Sequence, residues 1–374
     1  MSKGSFGLDV LIVVSSDPRY DTRSTKYLSA LLEAGFKAKV VGISSDGTAE
    51  KKEELVRAPV SAKGGKSFFL EFYQKVIPEM YRSPAKIVIA GDLFSLPPAI
   101  INKHRYSKGA KPVKLIYDSK ELYEELPSLK AKRTSFLFWN LVEKSSIRYV
   151  DAVLTVNQSI ADILEARWHL PTSVVMNVPD LSNPPIPKDK SFDKIFLAFS
   201  GGLQRGRGLH NLINLLTVLP EKYELRFVGD GVLRKELERQ ALSLELEKRV
   251  HFVGRVNNSE VVNELSKSHI GIYLMENTGL CHYLALPNKF FQFISARLPV
   301  IVSNFPEMEK IVNQFQIGFV VDPSNIEEIA KAVLELTKDE GTYHKLAVNC
   351  EKAAKVLNWQ VEKEKFLKAV RNLV

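Results

Sequence analysis

Short apolar runs that end in a loop and give way to a helical pattern recur along this chain, and they constrain its fold more than any other feature. Asp9 to Val14 is the first such run. After the loop Ser15 to Asp21, the residues Tyr27, Leu28, Leu31 and Leu32 fall at helical spacing up to Gly35, and Lys37 to Ile43 returns as a strand. This is the opening strand–helix–strand unit of a parallel, doubly wound α/β sheet, whose ligands sit at the carboxyl ends of strands. Ile87 to Ala90, Leu115 to Tyr117, Asp151 to Asn157 and Ser173 to Asn177 continue the series. It starts again with Ile195 to Phe199, Leu225 to Val228, Val250 to Val253, His269 to Leu274, Val300 to Val302 and Gly318 to Val321. No Gly-x-Gly-x-x-Gly follows the first strand, which disfavours a dinucleotide cofactor.

Between the two series, Asp180 to Lys190 is rich in proline and charge and lacks periodicity, so it reads as a linker. The expected division is residues 1–180, residues 192–358 and a final helix within 359–374. A chain of 374 residues that is 45% hydrophobic is long enough for two cores. Two cysteines, Cys281 and Cys350, make neither a disulfide framework nor a zinc site by themselves, and no metal site is expected. Met1 to Asp9 lacks the apolar run of a signal peptide, and no stretch of about 18 apolar residues occurs. The expectation is a cytoplasmic location.

Two stretches of the second half carry phosphate chemistry. Ile195 to Phe199 runs into Ser-Gly-Gly-Leu-Gln-Arg-Gly-Arg-Gly-Leu (200–209), then a helix from about His210. The glycines let the backbone approach a ligand and present successive N–H groups, and Arg205 and Arg207 add bidentate donors. A flexible turn is the bland alternative. Leu284 to Ser303 reads Leu-Ala-Leu-Pro-Asn-Lys-Phe-Phe-Gln-Phe-Ile-Ser-Ala-Arg-Leu-Pro-Val-Ile-Val-Ser. Pro287 suits the first turn of a helix whose apolar side is Phe290, Phe291, Phe293 and Ile294. The N-terminus of that helix, bearing Asn288 and Lys289, is suited to hold a phosphate. Together these features read as a diphosphate site.

The order Pro-Asn-Lys, two aromatics, a polar residue, then Ala-x-Leu-Pro-Val-Ile resembles the sugar-nucleotide signature of retaining glycosyltransferases of the GT-B fold, the group 1 (family 4-like) family. Two Rossmann-like domains facing a cleft, with the C-terminal helix crossing back to the first, are what the resemblance implies for the fold. The implied activity is retaining transfer of a sugar from a nucleoside diphosphate sugar, with no metal or other cofactor. By resemblance Gly201, Gly202, Leu203, Arg205 and Arg207 contact the donor diphosphate with Lys289 and Asn288, and Arg255 and Val256 lie near the base. Asn277, Thr278 and Gly279 lie by the sugar and phosphates, and Gln292 holds the ribose. Gln292 stands where the family has Glu, Arg297 where it has Gly, Leu203 where an early Arg is usual, and Leu284 where the first of a Glu pair is usual. Arg207-Gly208 matches the family's Lys-Gly.

In the first half, Asp17-Pro18-Arg19 resembles a glycosyltransferase subgroup in which this loop faces the cleft, making Asp17 and Arg19 candidates for acceptor contact; a turn with a helix cap is the alternative. Gly91 and Lys120 occupy the two family His positions, and Lys120 and Glu121 are the candidates on the sugar side. Residues 1–190 hold 28 Lys and Arg against 21 Asp and Glu, while the remainder holds 24 against 22. An anionic partner for the first half or plain solubilising lysines account for this equally. Lys66 to Arg82 and Ser128 to Val150 set aromatic stripes beside Lys66, Lys75, Lys130, Lys132 and Arg133, as an interfacial helix on anionic lipid requires; core packing is the commoner use of such stripes. The expected partners are therefore a nucleotide-sugar, a saccharide or polyprenyl-linked acceptor and an anionic membrane surface, with no nucleic acid, because no motif for one is present. An inactive relative that partners an active transferase and a nucleotide-sugar epimerase are the rival readings. The first is motivated by Gly91, Lys120 and Gln292; the second is opposed by the lack of paired acid and base side chains in the matching loops.

Overall fold

The computed structural model describes residues 6–44, 46–62, 64–107, 112–181 and 191–373. The linker expected over 180–190 lies outside the described residues from 182 onward. The chain divides into two units, Met1–Met176 with Glu362–Val374, and Asn177–Val361.

Among the described residues of the first unit, eight strands form one sheet: β1 (Leu8–Val13), β2 (Ala38–Ser44), β3 (Glu50–Lys51), β4 (Leu55–Pro59), β5 (Ala85–Ala90), β6 (Lys114–Asp118), β7 (Ala152–Thr155) and β8 (Thr172–Val174). Their order is β3-β4-β2-β1-β5-β6-β7-β8, parallel except for β3 against β4. The central strands read as near-continuous apolar runs because helices cover both faces, and Val10 to Val14 are at most 1% exposed. β3 and β4 are additions to the expected set. Their sequence gives no apolar run, since β4 carries Arg57 and Pro59. β8 is shorter than the strand expected over 173–177. The helix Gly65–Tyr81 continues through Pro78 and stops one turn later. The segment expected as one stripe over 128–150 is broken into Pro127–Lys130, Arg133–Ser146 and a short turn Ile147–Tyr149.

The last helix, Trp359–Arg371, ends in the first unit. There Phe366 stacks on Tyr27 with centroids 3.9 Å apart, Glu362 accepts from the Met176 amide at 2.7 Å, and Lys363 pairs with Glu33 at 3.0 Å.

Among its described residues the second unit has six parallel strands, β9 (Ile195–Ser200), β10 (Tyr223–Val228), β11 (Val250–Gly254), β12 (Ile270–Tyr273), β13 (Val300–Ser303) and β14 (Gly318–Val321), ordered β11-β10-β9-β12-β13-β14. Strand order reverses between β9 and β12. In doubly wound sheets the crevice outside the carboxyl ends of such a pair is where ligands bind. The helix Asn288–Ser295 is held over this sheet by Phe290, Phe291, Phe293 and Ile294, all at most 1% exposed; burying each is worth about 1.5–3 kcal/mol. A Cβ on Gly271 of β12 would stand 2.3 Å from Phe293 Cγ, so a glycine is what lets helix and strand approach. Pro287 is the N-cap of this helix, in extended conformation, not a member of its first turn.

Candidate functional site

The loop after β9 is shaped by backbone contacts that exclude side chains. Gly201, at φ +133°, passes Gly229 so closely that a Cβ on Gly229 would lie 1.9 Å from the Gly201 oxygen. Gly208, at φ +62°, caps the helix Leu209–Val218, and a Cβ there would lie 2.4 Å from the Leu274 oxygen at the end of β12. The loop is thus pinned between the ends of β10 and β12. Leu203 is fully buried; its N–H donates to the Asp230 oxygen at 3.1 Å and its oxygen accepts from Leu233. Its amide is therefore engaged within the fold, whereas the Gly202 N–H has no acceptor among the described residues.

Two cations flank this backbone. Arg207 Nη1 donates to the Gly202 oxygen at 2.9 Å. The point where a Cβ on Gly201 would stand is 3.0 Å from Arg207 Nη1 and 3.4 Å from Lys289 Cε. Burial and the Arg207 charge both push the Lys289 amine below its ordinary range. Neither cation forms an ion pair with an Asp or Glu among the described residues. Gln292, one turn beyond Lys289, accepts from Ser200 Oγ at 3.3 Å. Glu276, after β12, accepts from the Gly208 N–H at 3.3 Å while its own N–H donates to Gly206, tying this segment to the loop. Asn277 Oδ1 accepts from the Gly279 N–H, and Thr278 Oγ1 lies 2.5 Å from His282 Nδ1. Nothing in the sequence singles out His282, because the Cys-His-Tyr stretch around it carries no motif.

The second unit therefore brings together Gly201, Gly202, Arg207, Lys289 and Gln292, with Thr278 beside Gly206 and its neighbours Asn277 and Gly279 hydrogen-bonded to each other. Arg205 is exposed, and no hydrogen bond joins it to this group. Asn288 is half-buried at the first position of its helix. Arg255 and Val256 follow β11, the outer edge strand, two strands from β9.

In the first unit, Asp17 is 6% exposed beneath Arg57, which donates Nε to Oδ1 at 3.0 Å and Nη2 to Oδ2 at 2.8 Å. Arg19 reaches the same carboxylate at 3.1 Å and Asp46 at 2.5 Å. Both acceptor candidates thus belong to a charge network that fixes their loop. Lys120 pairs with Asp21, the cap of helix Thr22–Glu33, at 3.0 Å. Burial pushes the Asp21 carboxyl up, but the Lys120 charge and the hydrogen bonds from Ser24, Lys120 and Ser16 outweigh it and hold the group below the carboxylate range. Glu121 is exposed. A pair unread in the sequence lies beneath: Arg23 donates to both oxygens of Asp118, at 2.7 and 2.8 Å, and to the Val175 oxygen at 2.7 Å, all buried. Among the described residues no three His, Cys, Asp or Glu side chains converge as a metal site, and no helix is long and apolar enough to cross a membrane.

Residues 185–356 match the family model "Glycosyl transferases group 1". An uncharacterized glycosyltransferase of Haemophilus influenzae is 27% identical over 165 residues, 42% of this chain and 44% of that protein. A Campylobacter jejuni GalNAc-α-(1→4)-GalNAc-α-(1→3)-diNAcBac-PP-undecaprenol α-1,4-N-acetyl-D-galactosaminyltransferase is 26% identical over 239 residues, 62% of this chain and 63% of that one. The chain spans between 44 and 63% of the length of the curated relatives it matches. Anabaena HepE, solved with UDP and glucose, shares the fold with a TM-score of 0.74 at 14% identity, covering 98% of this chain and all of its own.

Proposed function

Because this chain carries a domain of the group 1 glycosyl transferases on the two-domain GT-B fold, we propose that it transfers a sugar from a nucleoside diphosphate sugar to a saccharide acceptor. The observation that carries this is the pair Arg207 and Lys289, without acidic partners among the described residues, set against the glycine backbone at the β9–β12 switch point. Two cations and the Gly202 N–H are what a leaving diphosphate requires as its charge develops, and they stabilise it without a metal. Transfer with retention follows the family pattern and is part of the same reading. A thermal-shift screen of wild type and Arg207→Ala against UDP-, GDP- and ADP-sugars tests it. One nucleotide raises the wild-type midpoint by mass action, and the variant loses that rise. No rise with any of them sinks the proposal. Binding without release of nucleotide in the presence of acceptors would favour the second reading, an inactive relative that partners an active transferase, for which the Lys120–Asp21 ion pair at a family His position speaks.

The finer reading is a polyprenyl-linked acceptor and peripheral contact with anionic lipid at the cytoplasmic face of a membrane. Its support is a surface on the first unit. The helices Gly65–Tyr81 and Arg133–Ser146 meet through Phe69 and Trp139, centroids 4.6 Å apart. On the same helices Leu70, Leu137, Phe138 and Leu141 are 57–67% exposed, with Lys66 and Arg133 exposed beside them. Apolar side chains among cations suit an anionic bilayer surface, and the Campylobacter relative's name includes an undecaprenol-linked saccharide. Sedimentation with phosphatidylglycerol vesicles, lost in Phe138→Ser/Leu141→Ser and absent with phosphatidylcholine, is the expected result. Equal recovery of both proteins would remove the membrane contact.

A further inference from the structure

His282 lies on the short helix Leu280–Tyr283 and is turned toward the glycine loop. Its Cε1 is 3.7 Å from where a Cβ on Gly206 would stand, the same distance as Thr278 Cγ2, and its Nδ1 is 2.5 Å from Thr278 Oγ1. The groups that act on it come from every neighbouring element. Arg207 supplies a positive charge from the loop, the Glu276 backbone a hydrogen bond from the end of β12, and Thr278 its hydroxyl. The Glu276 carboxylate is directed to the Gly208 N–H, and the buried Tyr273 phenol on β12 also feels Arg207 but stays neutral. Lys289, on the next helix, is under the same Arg207 charge. His282 and Lys289 thus come from two helices to within reach of the Arg207 charge on the loop. Burial and Arg207 lower the affinity of His282 for a proton, so in the free chain the imidazole is neutral near pH 7.

We propose that His282 is a further donor-binding residue, and that its imidazole takes up a proton from solvent when a diphosphate settles against Arg207 and Lys289. The inference rests on the nucleotide-sugar reading above. Two negative charges brought beside Arg207 offset its repulsion of the ring and favour the charged form against the larger effect of burial, and the imidazolium then donates to a phosphate oxygen through Nε2, the nitrogen not set against Thr278. The device makes donor affinity fall as pH rises, because the proton the complex requires becomes harder to take up. Nucleotide sugars suit the test because their diphosphate diester does not itself titrate between pH 5 and 9.

The experiment is titration calorimetry of the nucleotide sugar selected by the thermal-shift screen, at one pH near 7, in buffers of different ionisation enthalpy. It is done with wild type and His282→Gln, and with His282→Asn where the first variant does not fold. Wild type is expected to show proton uptake on binding and the variant none. The variant's affinity is expected to fall about tenfold at pH 6 and less than about twofold at pH 8.5. Binding without uptake in wild type, or uptake that persists in the variant, overturns the role of His282 and leaves the transferase reading standing. Failure of every nucleotide sugar to bind wild type overturns both.

Discussion

Replacing Lys289 with methionine separates a binding role from a packing role. The unbranched stem is retained, so the apolar contacts along Gly201 persist while the charge is lost. Like unit charges repel by on the order of 1 kcal/mol at about 4 Å in bulk water, and by more where water is partly excluded. Lysine at this position is thus an expense of the free protein, and the direction of its shift says the same, since burial and Arg207 both disfavour the charged form. A lysine whose folded pKa lies below the unfolded value binds fewer protons when folded, so its destabilisation is complete below the folded pKa and fades as pH rises from there through about 10.5. K289M should therefore unfold at equal or higher denaturant concentration than wild type at pH 7, with the difference shrinking in alkaline buffer. The donor reverses the sign, because a charge-assisted hydrogen bond is worth about 1.5–3 kcal/mol. The variant's nucleotide-sugar Kd should thus rise about 10- to 150-fold. Denaturant unfolding without ligand and calorimetry with it decide the matter. A loss of more than about 1 kcal/mol in stability with unchanged Kd would refute the reasoning and make Lys289 a structural residue.

Gly208→Ala meets the Leu274 oxygen and a left-handed backbone together, so a loss of about 2–4 kcal/mol is expected in urea unfolding; a loss under about 1 kcal/mol would show that the loop is not pinned as described. Burial, against the opposing hydrogen bond from Tyr117, pushes the Glu143 carboxyl up to about 7. A raised folded pKa gives stability that is complete below about 4.5 and is lost as pH rises through 7, roughly 3 kcal/mol in all. Glu143→Gln, which still accepts from Tyr117, should match wild type near pH 4.5 and exceed it by that order at pH 8; parallel stability curves would contradict this.

What could be read from the sequence was local in the chain. The helix Asn288–Ser295 and strand β13 announce themselves through apolar spacing, and the loop 201–208 through its glycines, because backbone conformation and close approach are decided by the residues on the spot. What could not be read depends on partners far along the chain. Arg57 sits inside a strand at 2% exposure because Asp17, 40 positions away, answers its charge. Arg23 and Asp118 are 95 apart. An arginine in a short strand carries no sign of being buried, so nothing local marks β4, and Asp17 reads either as an acceptor contact or as part of a turn with a helix cap. The engaged amide of Leu203 is invisible for the same reason, since its acceptor, Asp230, follows another strand.

The departures from the family pattern bear on one another through charge. Gln292 lies one turn from Lys289 on the same helix, so a glutamate in its place would face that cation. It would add a negative charge to a pocket whose proposed pull on a diphosphate depends on Arg207 and Lys289 having no acidic partner among the described residues. The amide has a different capacity. With Ser200 donating to Oε1, its NH2 group remains a donor, whereas a carboxylate offers acceptors alone. A ribose hydroxyl held by this residue would accept from it as well as donate to it. On the proposed reading, glutamine in place of glutamate would weaken the charged grip on the ribose and leave the phosphate pocket more positive by one unit. On the proposed reading, donor recognition that the group 1 pattern divides between an acid at the ribose and bases at the phosphates would here be weighted toward the phosphates, and an imidazole that gains its charge only when the diphosphate arrives would extend that shift without adding repulsion to the empty site.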